Sequence, residues 1–199
     1  PRPEFCLMIG DLAEKGTLQE LGAMRDVLRS FEMPFHPVIG NHDYLSQTDR
    51  STWDQLFPGK LNYHFEHRDW QLIGLDSTEG LKYRDTYIQP ETFRWLDDQL
   101  RKLNPAKPTI LFTHFPLGMD LRYRPKNADA LLERFGDFNL VAVFNGHFHG
   151  ATKRQVGNTI LTTNKCCSIA RNNHDGTREK GYFLCHAIEG RIHRQFIEV

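Results

Sequence analysis

The sequence lacks several features that would assign it to a common class. It has no run of eighteen apolar residues, which excludes a transmembrane helix, and no visible signal peptide. Its 25 basic and 25 acidic residues balance, so no general attraction to nucleic acid polymers or to anionic membranes is expected. The motifs Gly-x-Ser-x-Gly and Gly-x₄-Gly-Lys-Ser/Thr are absent, which argues against a serine-hydrolase elbow and a P-loop. We therefore expect a small-molecule substrate, with no nucleic acid polymer and no membrane as partner.

Cysteine is scarce, and none of the four cysteines forms a Cys-x-x-Cys pair. Adjacent cysteines such as Cys166 and Cys167 rarely bond to each other, so a reducing compartment, the cytoplasm, is expected. An upstream signal that the chain does not include would change that expectation. The sequence also lacks internal repeats, low-complexity tracts and linkers, and its length predicts one domain over residues 1–199.

The most informative stretch that is present is Gly40-Asn41-His42-Asp43, which follows a short apolar run over residues 35–39. The run predicts a buried strand, and Gly40 permits a sharp turn after it. In open α/β sheets, ligands bind at the carboxyl ends of the strands. Alone, however, the tetrapeptide is equally typical of a simple turn, because turns favour Asn and Asp.

The same pattern recurs at three other strand ends. Asp11 follows the apolar run 5–9, His114 follows 109–112, and both His147 and His149 follow 140–144. Carboxylate, amide and imidazole groups suit Zn, Mn or Fe. A single histidine is more typical of a core residue bonded to a main-chain carbonyl. Four such strand ends in one chain nevertheless predict a metal site.

Helical periodicity separates these strands and predicts β-α-β units with parallel pairing. Helices are predicted over residues 17–31, with Thr17 as cap and Glu20 completing a capping box, and over 90–103 and 128–135. A hairpin is predicted over 62–75. Segments 156–163, 181–188 and 191–199 predict a second, antiparallel sheet packed on the first.

Three loops allow more than one interpretation. The loop 77–89 is long enough to be functional, although a solvated charged loop is the preferred interpretation. The basic loop 118–127 fits either solvation or the binding of a substrate phosphate or nucleotide. The loop 171–180, which holds His174, is long enough to reach the rim of the site, although a mobile loop is the preferred interpretation. Asp76 also lies at a strand end, but we do not predict it to be a ligand.

Taken together, Gly10-Asp11, Gly40-Asn41-His42-Asp43, His114 and Gly146-His147-Phe148-His149 resemble the calcineurin-like metallophosphoesterase superfamily, in the same order. The resemblance covers residues 5–150. The local sequence Gly-Asp-Leu-Ala at 10–13 is most similar to the bacterial branch that contains cyclic-nucleotide phosphodiesterases. The resemblance implies an α/β fold, a layered α-β-β-α sandwich whose mixed sheet has β-α-β units, with a C-terminal antiparallel sheet.

The resemblance also implies a site for two divalent metal ions, Mn, Fe or Zn. His42 would not bind metal and would protonate the leaving oxygen, and Glu14 occupies the position of an aspartate that orients this histidine. The metal ligands it implies are Asp11 bridging both ions, Asn41, His114 and His147 on the second ion, and His149 on the first.

One family motif, an Asp-x-His on the strand that precedes the Gly10-Asp11 strand, does not occur in this sequence. Either an upstream segment supplies it or the first metal site is degenerate, so we expect one or two ions per chain. The expected function is hydrolysis of phosphomonoesters or phosphodiesters, with cyclic nucleotides as one candidate, by a metal-activated hydroxide. The alternative is a catalytically weak or inactive scaffold that binds a single metal. The enzyme is preferred because a scaffold has no use for the acid His42.

Overall fold

Strands and helices alternate along most of the chain. The computed structural model describes residues 2–199, so Pro1, which the predicted domain 1–199 includes, lies outside the described residues. The elements are β1 Cys6–Ile9, α1 Leu18–Arg29, β2 Phe35–Val38, a 3₁₀ turn Asn41–Asp43, α2 Ser51–Leu56, β3 Tyr63–His67, β4 Trp70–Leu75, α3 Pro90–Leu100, β5 Thr109–Thr113, α4 Ala128–Glu133, β6 Leu140–Asn145, β7 Thr152–Val156, β8 Thr159–Thr163, β9 Gly181–Ile188 and β10 Arg191–Glu198.

A mixed six-stranded sheet in the order β3-β4-β5-β6-β8-β7 forms the centre of the fold. Strands β4, β5, β6 and β8 are parallel, while β3 and β7 run antiparallel at the two edges. The pair β1–β2 is parallel, and β9–β10 is a separate antiparallel hairpin. This arrangement confirms the predicted α/β class, with β-α-β units and an antiparallel sheet at the C-terminal end.

The four layers follow from strands that are apolar on both faces, which need cover on each side. On one face of the central sheet, α3 and α4 pack through Leu96 and Leu131. On the other face lies β1–β2, whose Val38 packs against the sheet. Helices α1 and α2 then cover the outside of β1–β2 through Leu21 and Trp53, both fully buried.

One part of the predicted sheet arrangement is wrong. The segment 156–163 was expected in the second sheet, but it belongs to a hairpin, β7–β8, in the central sheet. A turn at Gly157-Asn158 joins these two strands, and Leu161 pairs in register with Val143 of β6. Leu161 is buried, so the strand gains more by extending the parallel sheet than by joining β9–β10.

The predicted helices are confirmed with shorter ends. Thr17 caps α1 by accepting a hydrogen bond from the Glu20 main-chain N–H at 3.2 Å. The carboxylate of Glu20 accepts from the Lys15 N–H at 2.7 Å, so the predicted capping box closes on a different main-chain group. Within residues 2–199, none of the helices has the length and apolar character that crossing a membrane requires.

Candidate metal centre

The carboxyl ends of β1, β2, β5 and β6 meet at one place. Asp11 follows β1, the 3₁₀ turn after β2 carries two of the predicted residues, His114 follows β5, and the last two follow β6. Five of the six predicted site residues line one cavity of about 290 Å³. The sixth, His114, is not part of the lining but contacts Asp11, which is. The residues that line the cavity are Asp11, Asn41, His42, Leu81, Tyr83, Tyr123, His147, His149, Arg171 and His174.

Two glycines allow the strand ends to approach this closely. A Cβ atom on Gly10 would lie 2.6 Å from Nδ1 of His114, and one on Gly40 would lie 2.2 Å from Oδ1 of Asp11. Gly10 also has a φ of 74°, which disfavours other residues. The glycines before Asp11 and Asn41 are therefore required by packing at the site itself.

Main-chain carbonyls set the orientation of two histidines. Nδ1 of His114 lies 2.7 Å from the Ile9 oxygen, and Nε2 of His147 lies 2.8 Å from the Tyr83 oxygen. Each of these nitrogens donates, so the opposite ring nitrogens present lone pairs. Nε2 of His114 lies 3.2 Å from Oδ2 of Asp11 and 3.1 Å from Nδ1 of His147. Three acceptor atoms therefore converge, and a cation is what such a group binds.

The charges in the cluster are strongly coupled. Burial would raise the pKa of Asp11, but the neighbouring His114 outweighs burial and lowers it. Burial likewise opposes charge on His114, and Asp11 nevertheless raises its pKa. Burial and then His114 lower the pKa of His147 to about 3, while burial and then His174 lower that of His149 to about 4. His147 and His149 are therefore neutral at pH 7, the state in which imidazole binds metal.

Asn41 supplies a second test of whether a metal fits this site. Its side chain is 3% exposed, and its Oδ1 has no hydrogen-bond partner among the described residues. A buried oxygen without a partner costs about 1–3 kcal/mol, a cost that a bound cation removes. One carboxylate, one amide oxygen and two imidazole nitrogens form a donor set suited to a divalent transition metal.

His42 is held differently from what the resemblance implied. Its main-chain N–H donates to Oδ1 of Asp11 at 2.9 Å, and its Nδ1 lies 2.9 Å from the main-chain oxygen of Glu14. The carboxylate of Glu14 does not contact His42 and instead binds Arg171. The side chain of Glu14, which is longer than that of aspartate, thus extends past His42 to Arg171. The main-chain carbonyl of Glu14 orients the His42 ring instead.

Asp43 has a structural task. It is fully buried, and its two oxygens accept hydrogen bonds from the N–H groups of Gly40 at 2.8 Å and Ala13 at 3.1 Å. Burial, with Asp11 nearby, raises the pKa of Asp43 to about 7. Asp43 therefore joins the loop after β1 to the loop after β2.

Sequence reasoning did not select four polar residues that line the cavity: Tyr83, Tyr123, Arg171 and His174. They lie on the three loops for which the sequence left a role at the site open beside solvent exposure or mobility. The His174 N–H donates to the His149 oxygen at 2.7 Å, and the two imidazole rings lie 5.1 Å apart. These loops have no periodicity that would reveal such contacts, and their length was the one available signal.

Comparison with known proteins agrees with this geometry. Residues 1–151 match the family described as calcineurin-like phosphoesterase, and the chain belongs to that family. The family uses divalent metals, and Asp11, His114 and His147 form a candidate ligand group in this chain.

Curated relatives include phosphodiesterases. The chain is 27% identical over 175 residues to a probable glycerophosphodiester phosphodiesterase GpdQ of Arcobacter nitrofigilis, covering 82% of this chain and 63% of that protein. It is 26% identical over 167 residues to a 3′,5′-cyclic-nucleotide phosphodiesterase of Nostoc, covering 79% and 60%. The chain thus spans less than two thirds of the length of these relatives.

Solved structures support the fold. GAP50, the anchor in the inner membrane complex of Plasmodium, superposes with a TM-score of 0.70 at 16% identity, covering 98% of this chain and 74% of that one. The phosphopantetheinyl hydrolase of Mycobacterium tuberculosis gives a TM-score of 0.57 at 16% identity, covering 81% and 79%. At such identities the likeness concerns the fold alone.

Proposed function

We propose that this chain is a metal-dependent phosphoesterase that hydrolyses small phosphomonoesters or phosphodiesters, cyclic nucleotides among the candidates. One observation carries the proposal: acceptor atoms of Asp11, His114 and His147 converge within 4.8 Å of one another at a cavity that His42 also lines. The names of the curated relatives support the same reaction class.

In this proposal, Asp11, Asn41, His114 and His147 hold one divalent ion. Asp11 and His149 face the position of a second ion. Bound ions would neutralise phosphate charge and make water a better nucleophile at neutral pH. The candidate metals are Mn, Fe and Zn, because the donor set mixes oxygen with imidazole nitrogen.

His42 is the proposed general acid. Its Nδ1 lies at the Glu14 carbonyl, which orients the ring, and its main chain is bound to Asp11. A positioned acid that protonates the departing oxygen contributes about 10²–10⁴-fold to rate.

The cavity favours a small substrate. Its volume of about 290 Å³ lies at the lower end of the range typical of ligand pockets. Tyr83 and Tyr123, whose ring centroids are 6.3 Å apart, stand at one side of it. We further propose that residues 1–199 act as one domain, since the site takes Asp11 from the turn after β1 as well as residues from the loop before β9.

The test is an activity assay on the purified chain with Mn²⁺ added. The substrates are p-nitrophenyl phosphate, bis-p-nitrophenyl phosphate and 3′,5′-cyclic AMP, each with and without a chelator. We expect hydrolysis of at least one ester that the chelator abolishes. A chain that binds metal yet hydrolyses none of them would instead support the scaffold alternative.

A further inference from the structure

The loop between β8 and β9 places a positively charged side chain, that of Arg171, at the cavity of the candidate metal centre. We propose that Arg171 binds the non-bridging oxygens of a phosphate in this cavity, and that Glu14 orients it for this task. Of the described residues that line the cavity, Arg171 alone carries a permanent positive charge. The proposal rests on the proposed function for its place in catalysis, but phosphate binding itself is measured separately.

Glu14 holds one nitrogen of the guanidinium and leaves the other two available. Both carboxylate oxygens of Glu14 accept from Nη2 of Arg171. In the part of the chain that the structure describes, Nη1 and Nε of Arg171 have no acceptor within hydrogen-bond distance. Both bidentate forks of a guanidinium include Nη2, so Nη1 and Nε are each left to donate a single charge-assisted hydrogen bond to a phosphoryl oxygen.

Stability does not explain this ion pair. The side chains of Arg171 and Glu14 are 38% and 61% exposed, and ion pairs at such exposure contribute little to folding. The pair instead links two parts of the site, because the main-chain oxygen of Glu14 also holds the ring of His42. One residue therefore sets the positions of both the proposed acid and the proposed phosphate-binding cation.

The loop that carries Arg171 is tied to the site at several points. The Arg171 carbonyl accepts from Nζ of Lys180 at 2.5 Å. The Ala151 N–H, directly before β7, donates to Oδ2 of Asp175 at 2.9 Å. A Cβ atom on Gly150 would come within 3.1 Å of Asp175, which shows how closely the loop packs on the strand end. These contacts hold the main chain of the loop that carries Arg171 in place.

The positive charge of Arg171 interacts electrostatically with two of the proposed metal ligands, Asp11 and His149. Glu14, and to a smaller extent Asp11, raises the pKa of Arg171, so the guanidinium stays charged. Arg171 adds to the effects of burial and His174 that lower the pKa of His149. A cation placed there offsets the negative charge of Asp11 and favours an incoming anion.

Isothermal titration of inorganic phosphate into the Mn²⁺-loaded chain tests the proposal. We expect Arg171→Gln to weaken phosphate binding about tenfold or more, because it removes a charge-assisted hydrogen bond to the anion. Arg171→Lys should recover part of the loss, and Glu14→Gln should cost a few-fold. Arg178→Gln is the matched control, since Arg178 is exposed on the same loop and should change binding less than twofold.

Metal content and thermal unfolding of each variant separate this role from a structural one, and both should match the wild type. If the wild type hydrolyses an ester, Arg171→Gln should raise KM for it more than it lowers kcat. Failure of the wild type to hydrolyse any ester would contradict the proposed function and leave the phosphate titration valid. Equal phosphate affinity in wild type and Arg171→Gln, or no phosphate binding by the wild type, would overturn the inference.

Discussion

At the residue scale, the two ring nitrogens of each buried histidine have different tasks. In His114 and His147 one nitrogen donates to a main-chain carbonyl, which fixes the ring and leaves the other nitrogen as an acceptor. His42 is fixed in the same way by the Glu14 carbonyl, yet it stands apart from the converging acceptor group. The same side chain therefore has two proposed uses within one site.

The proposed ligand role of His147 is tested by His147→Ala. This change removes one of three converging acceptors, so metal affinity should fall at least ten- to a hundredfold, and activity should fall with it. Metal content after dialysis, measured by elemental analysis, checks the result. His193→Ala is the control, because His193 is exposed on β10. Unchanged metal content in His147→Ala would refute the ligand assignment.

The proposed acid role of His42 predicts a different pattern. His42→Ala should leave metal content unchanged, because the contact with Asp11 uses the main-chain N–H and survives the substitution. Turnover should fall about a hundredfold or more, since a general acid acts in the transition state. Metal analysis and kcat on the same preparation check both parts. Loss of an ion from this variant would show that His42 is a ligand.

At the element scale, most strands and helices were predictable, while the short helix α2, the strand β7 and the loops were not. Apolar runs and helical spacing located β1, β2, β5 and β6, and the polar residues after them pointed to one site. The position of β8 in the central sheet could not be read, since alternation shows a strand without naming its partner. Arg171 and His174 reach the site through main-chain contacts of a loop, which leave no pattern in the sequence.

The strand β2 also carries a group that links stability to pH. His36 stacks on Phe65 with ring centroids 3.7 Å apart, and its buried Nδ1 has no partner among the described residues. Burial, with smaller effects of Lys60 and His67, lowers the pKa of His36 to about 4, below its ordinary value of 6.5. The unfolded chain therefore binds more protons between these values, and stability falls as pH decreases from about 6.5 to about 4.

His36→Phe should flatten this dependence, because phenylalanine keeps the stacking and has no proton to bind. The lowered pKa corresponds to about 2 kcal/mol of unfolding free energy between pH 7 and pH 5, and solvent screening of the half-buried ring reduces this to about 1 kcal/mol. We expect His36→Phe to remove a loss of about that size. Urea unfolding at both pH values measures it, with His64→Gln as the control at an exposed position of the neighbouring strand. The same pH dependence in wild type and His36→Phe would show that other groups are responsible.

At the scale of the whole molecule, the layered fold decides which ligands each ion is offered. Stacking β1–β2 on the central sheet brings Asp11 and Asn41 of one layer against His114 and His147 of the other. Neither layer alone holds the proposed metal ligands, so metal binding should couple the two layers and stabilise the fold.

This division of ligands predicts unequal metal binding by the 199-residue chain. In the proposed site, one ion would be offered four side chains, while the other would be offered the shared Asp11 and His149, with water filling its remaining positions. About one ion per chain should therefore survive dialysis against Mn²⁺-free buffer, and a second should bind only with excess metal. Elemental analysis measures the retained ion, and His149→Ala should leave it in place. Two retained ions would mean that another residue completes the second position. The first to test would be His174, whose ring lies 5.1 Å from that of His149, and His174→Ala should then release one ion.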